Sequence, residues 1–125
     1  MLVDGDGLPV RIRLAPGQAS DKAAVAALIE GLPPGRDLVA DRGYDARAII
    51  DQVAAIGGRA HIPTCRDRKV QRSVDPEIYR HRNLVERFFS KLKHFRRIAT
   101  RYDKTARNFL AAVMLAASRL WIRQL

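Results

Sequence analysis

Residues 37–45 read Asp37-Leu38-Val39-Ala40-Asp41-Arg42-Gly43-Tyr44-Asp45. The apolar run Leu38-Val39-Ala40 has the character of a short buried strand, and Asp41 stands where that strand ends. Gly43 lets the chain turn sharply. Beyond the turn, Ile49, Ile50, Val53 and Ile56 share one face of a helix predicted from about Asp45 to Ile56. Gly57-Gly58 stops it, and Arg59-Ala60-His61-Ile62-Pro63 reads as a second strand. Strand, helix, strand in this order predicts a parallel crossover and an α/β fold.

Upstream, Leu2-Val3 and Leu8-Pro9-Val10-Arg11-Ile12-Arg13-Leu14 read as a hairpin around Asp4-Gly5-Asp6-Gly7, closed by Ala15-Pro16-Gly17. Pro9 places the second strand near an edge or delays its start. Ser20 or Asp21 is positioned to cap a helix reaching about Glu30, with Val25, Leu28 and Ile29 as its stripe. Pro33-Pro34-Gly35 ends that element.

Downstream, residues 64–73 are polar, cationic and aperiodic, and read as a loop. Asp75 caps a predicted helix with Pro76 at its first position, running to about Phe95. Leu84, Phe88, Leu92 and Phe95 form its buried stripe, with Val85 and Phe89 beside it. Arg96 to Lys104 is a basic connector. Thr105 caps a last helix to about Arg123, whose apolar positions include Phe109, Leu110, Val113, Leu115, Leu120 and Trp121.

The 125 residues suffice for one domain, and a hydrophobic fraction of 47% is that of a globular chain. The longest apolar run, Phe109 to Ala117, is nine residues, far short of a membrane span. No export leader is recognisable. A lone Cys65 excludes an internal disulfide and suits a reducing compartment. Net charge is +10, but residues 59–107 alone hold 15 Lys or Arg against 5 Asp or Glu. Charge concentrated in one block favours a polyanionic partner, nucleic acid above all, over a merely solvated face. With aromatics at 6% and no stacking motif, an RNA-associated role lacks support.

Within that block, Tyr79, Arg82, Glu86 and Lys93 are spaced by three, four and seven residues, so a continuous helix projects all four from one side. Glu86 is the only acid between Glu77 and Asp103. One reading is a surface ion pair with Arg82 or Arg87. The other is a metal ligand: Leu84-Val85 and Phe88-Phe89 bracket it, and a partly buried carboxylate needs a partner. Asp41 likewise has two readings, a helix cap or turn residue, or a ligand at the sheet edge where α/β folds bind. A divalent cation shared by Asp41 and Glu86 satisfies both carboxylates, and hard cations such as Mg²⁺ prefer such oxygens. His61, His81 and His94 read as structural.

The Tyr79, Arg82, Glu86, Lys93 spacing, together with Leu38-Val39-Ala40-Asp41-Arg42-Gly43-Tyr44-Asp45, resembles the signature blocks of the DDE transposases of bacterial insertion sequences. The likeness is to the insertion-sequence-five group, within the larger family that includes the insertion-sequence-four group, and it covers nearly the whole chain. It implies a ribonuclease-H-like fold in which two Asp and one Glu hold two Mg²⁺ or Mn²⁺ ions. Asp41 matches the second Asp and Glu86 the third acid, both catalytic and metal-binding. Tyr79, Arg82 and Lys93 match the accessory positions that contact transposon-end DNA. The implied reaction is metal-dependent DNA strand cleavage and strand transfer at insertion-sequence ends.

The pattern departs at one point. The family's first Asp lies on a central strand ahead of the hairpin, and this sequence has no counterpart. Asp4 and Asp6 are the only early acids, and their ordinary role is hairpin chemistry. The expectation is therefore the carboxyl-terminal part of the catalytic domain, an incomplete ribonuclease-H-like fold over residues 1–125, inactive as an isolated fragment. It is either a second reading frame joined to an upstream product by frameshifting or a decayed fragment. The alternative is a non-catalytic basic DNA-binding protein derived from a transposase. Implied partners are double-stranded DNA, both transposon ends and target, and further copies of the full-length protein, in the bacterial cytoplasm at the nucleoid.

Overall fold

The computed structural model describes residues 1–15, 21–95 and 105–124. It is a mixed α/β structure with two small sheets and several helices, as the order of elements implies. The chain forms two compact units, residues 15–82 and residues 1–14 with 83–125.

In the 15–82 unit, helix α1 (Asp21–Ile29) precedes β3 (Asp37–Val39), a 3₁₀ turn (Arg42–Tyr44), α2 (Arg47–Ala55) and β4 (Arg59–His61). Strands β3 and β4 pair in parallel, with Asp37 opposite Arg59 and Val39 opposite His61, so the predicted crossover is present and α2 makes it. The core gathers Ile29, Ile49, Val53 and Ile62, with Leu38, Tyr44 and Ile56 packed against it. Gln52 ties α2 to α1 through a hydrogen bond to the Ala26 carbonyl, 2.9 Å. Gly58 is fixed by space: a Cβ there overlaps the Arg36 carbonyl oxygen, so only glycine lets the end of α2 pass that close.

Helix α2 begins two residues later than the sequence implied, with Ala46 at its cap and no side-chain bond there. Asp45 is the reason. Its carboxylate turns away from the helix and into a cluster described below, and the 3₁₀ turn ends on its backbone N–H.

The expected single helix over 75–95 is broken into three segments. These are α3 (Pro76–Tyr79), a 3₁₀ turn (Arg80–Arg82) and α4 (Asn83–Lys93). Asp75 starts the first as predicted, its carboxylate accepting from Glu77 N–H at 2.9 Å. The break falls on Arg80-His81-Arg82-Asn83, four polar residues with no apolar side chain to bury, two of them weak helix formers.

In the other unit, β1 (Leu2–Val3) and β2 (Pro9–Arg11) form the predicted antiparallel hairpin, with Pro9 first in its strand. Asp4 organises its turn: Oδ1 accepts from the Asp6 and Leu8 N–H groups, each at 2.9 Å, and Gly7 takes a φ of 79°. Helices α4 and α5 (Ala106–Ile122) pack through Phe88, Leu92, Val113, Ala116 and Ala117, joined by Met1, Val3 and Ile12 from the hairpin. Thr105 caps α5, its hydroxyl accepting from Asn108 N–H. Trp121 donates its indole N–H to the Pro9 carbonyl at 2.9 Å.

Not every apolar position of α4 and α5 is covered. Leu115 points outward, 73% exposed, and the inward positions are Ala116 and Ala117, whose small side chains let α4 approach closely. Phe89, beside the buried stripe, is 44% exposed. The predicted cap Ser20, the turn Pro16-Gly17 and the connector Arg96 to Lys104 lie outside the described residues.

Candidate metal and nucleic-acid site

Asp41 follows β3 by two residues and is exposed at its carboxyl end. Its Oδ1 accepts from Gly43 N–H at 2.8 Å, and its carbonyl accepts from Tyr44 N–H at 3.1 Å. It is the N-cap of the 3₁₀ turn. The cap reading is therefore realised, and it holds the carboxylate in a fixed orientation while using one oxygen.

Glu86 lies in the first turn of α4 and is exposed, not partly buried as its apolar neighbours suggested. The helical period explains this: Leu84, Phe88 and Leu92 define the inward stripe, and position 86 falls well away from it. Lys93, seven residues on, closes α4 and is also exposed. Tyr79 closes α3, and the Arg82 guanidinium stands over its ring at 5.6 Å, a cation–π contact made within the 3₁₀ turn. The four signature residues therefore do not share one continuous α-helix. Asp41, Tyr79 and Arg82 belong to the 15–82 unit, and Glu86 and Lys93 to the other.

Asp45 is the residue that sequence reasoning passed over. Its side chain is fully buried. Oδ1 lies 2.6 Å from Nη2 of Arg72, and Oδ2 lies 2.9 Å from Nε of Arg68 and accepts from Cys65 N–H at 2.7 Å. Its backbone carbonyl accepts from Arg68 Nη2 and from Lys22 Nζ, each at 3.3 Å. Burial pushes the acid's pKa upward, but the Arg72 hydrogen bond, the Cys65 amide and the Arg72 charge outweigh it, and the net result is a pKa lowered to about 2. Asp45 is thus a carboxylate at neutral pH. The one signal for it in the sequence was a lone Asp at a helix start facing a downstream cationic loop.

Asp4 Oδ1 is engaged in its turn, in keeping with the hairpin role read for it. His61 lies within β4, with Nε2 3.6 Å from an Asp37 carboxylate oxygen. Carboxylate oxygens are the donor type Mg²⁺ and Mn²⁺ take. Among the described residues, however, no three His, Cys, Asp or Glu side chains gather closely enough to hold a metal. Among the same residues, no helix is long and apolar enough to cross a membrane.

Residues 1–121 match the model of the transposase DDE domain. A Brucella ovis protein named "Putative transposase for insertion sequence element IS6501" is 36% identical over 123 residues, covering 98% of this chain and 95% of the relative. No solved structure matches the chain. The chain belongs to the DDE transposase family of insertion sequences. That family carries out DNA transposition and uses divalent metal.

Proposed function

We propose that the chain is the carboxyl-terminal catalytic segment of an insertion-sequence transposase, acting in DNA strand cleavage and strand transfer at element ends. The observation that carries this reading is the capped, fixed Asp41 at the carboxyl end of a parallel strand, within a family match over nearly the whole chain. Residues 1–125 then form part of a ribonuclease-H-like catalytic domain.

Asp41 and Glu86 are two of the three acids that hold Mg²⁺ or Mn²⁺, an assignment that rests on the motif match. When bound, such cations activate the attacking oxygen and steady the departing one at a scissile phosphate. The protein's own residues do the positioning. The Gly43 N–H fixes the Asp41 carboxylate, and the Arg82 guanidinium stands over the Tyr79 ring. Lys93 adds a mobile point charge. With two assigned carboxylates rather than three, the isolated chain binds DNA and does not cut it.

A non-catalytic DNA binder is the second reading. The block of 15 Lys or Arg against 5 Asp or Glu in residues 59–107 favours it, because gripping phosphates needs charge and no metal. Incubation of purified chain with terminal-repeat duplex and Mg²⁺ or Mn²⁺ tests the proposal. Salt-sensitive binding, weakened by Arg82→Gln or Lys93→Gln, is expected without strand cleavage. Cleavage abolished by Asp41→Asn overturns the claim of a silent fragment. Absence of DNA binding overturns both readings.

A further inference from the structure

The 64–73 loop lacks helix and strand, yet it is tightly organised. Thr64 is buried, and its hydroxyl accepts from Arg72 N–H at 2.8 Å. Gln71 Nε2 donates to the Cys65 and Arg68 carbonyls at 2.9 and 2.7 Å. Arg72 Nη2 also reaches the Ile62 carbonyl at 3.3 Å. The start of the loop is joined to the Asp41 turn. Cys65 Sγ lies 3.7 Å from the Arg42 carbonyl, and Asp45 N–H donates to that same carbonyl at 3.1 Å.

The charge at this junction does not balance. One buried carboxylate meets the guanidinium groups of Arg68 and Arg72, whose side chains remain 46% and 35% exposed, while Lys22 sits on its carbonyl. A buried carboxylate needs one good bidentate partner. Here it has two arginines, each with N–H groups directed elsewhere, and the loop carries Arg66 and Lys69 in addition, both exposed, against one exposed acid, Asp67. Excess positive charge pinned in a rigid loop is what an anion-binding surface requires, because the ordering cost is met before the ligand arrives.

We infer that loop 64–73, fixed by the buried Asp45 to the turn bearing Asp41, is a grip for the backbone phosphates of duplex DNA. Arg66 and Lys69 contact phosphate directly, Arg68 and Arg72 present their outer N–H groups, and Asp45 is a positioning residue that sets where the loop stands. This inference rests on the DNA-transposition reading and deepens it by naming the contact surface. It is sequence-independent, since phosphate contacts position a duplex and do not read it.

The test is duplex binding by the full chain over a range of salt, with thermal melting of each variant alongside. Arg66→Gln/Lys69→Gln removes two exposed charges that make none of the bonds above. It should melt like wild type and flatten the slope of log K against log salt by about 1.8, two contacts at about 0.9 each. Asp45→Asn separates positioning from bulk charge. It makes the chain one unit more positive, so charge alone tightens DNA binding, whereas loss of the clamp weakens it and opens the loop to trypsin. An unchanged slope in the double variant, or a folded Asp45→Asn protein that binds as tightly as wild type or more so, overturns the loop assignment while leaving the functional reading intact. Failure of wild type to bind duplex DNA overturns both.

Discussion

Oδ1 of Asp45 lies 2.6 Å from Nη2 of Arg72, across 27 residues of sequence, and this bond closes the cationic loop onto the start of α2. It joins the segment after β4 to the segment after β3 within one unit. The paired arginines are half-exposed and can return to water, so truncation costs less than at a wholly buried pair. Asp45→Ala is expected to lower stability by about 2–3 kcal/mol, read from urea denaturation midpoints at constant m-value.

The same carboxylate makes stability depend on acid. Its folded pKa of about 2 lies below the ordinary 3.8, so the unfolded chain takes up its proton first. The stabilisation is complete above the ordinary value and is lost as pH falls from about 4 towards 2, to the extent of roughly 2 kcal/mol. Urea midpoints measured across that interval should fall for wild type, and this part of the fall should be missing in Asp45→Ala.

Trp121→Phe keeps most of the ring but leaves the Pro9 carbonyl without its indole donor. A single lost hydrogen bond of this kind costs about 1 kcal/mol. Thermal melting should show a modest drop, and amide exchange should quicken in the hairpin before it does in α5.

Gly58→Ala is expected to cost more than any surface change. The new Cβ meets backbone, the Arg36 carbonyl oxygen, rather than a side chain that can swing aside. Shifting the chain between α2 and β4 disturbs the parallel pairing itself, at about 3 kcal/mol. Circular dichroism and melting of the variant check it; a wild-type melting curve contradicts the packing described for this turn.

What the sequence made legible follows where its signals are local. Gly57-Gly58, Pro76 after Asp75, and Thr105 each act within a few residues, and the elements they bound appear nearly where expected. The apolar run Leu38-Val39-Ala40 and the downstream Arg59-Ala60-His61 gave the parallel pair for the same reason. The site was less legible because its determinants are not local. Spacing alone put Tyr79, Arg82, Glu86 and Lys93 on one helix face, but spacing implies a face only while the helix continues, and Arg80–Arg82 tighten to a 3₁₀ turn. Apolar neighbours suggested that Glu86 was partly buried, yet adjacent positions on a helix point in different directions. Asp45 was hidden because its partners, Arg68 and Arg72, lie more than 20 residues away in a loop with no periodicity.

Asp41 and Glu86 are proposed, on the motif match, each to be a ligand for divalent cations. Mn²⁺ broadening of backbone amide resonances in the full chain, compared with Asp41→Asn and Glu86→Gln, tests that proposal. Amides around 41 and around 86 are expected to broaden at low Mn²⁺, the first set recovering in Asp41→Asn and the second in Glu86→Gln. Broadening that persists unchanged in both variants contradicts the assignment.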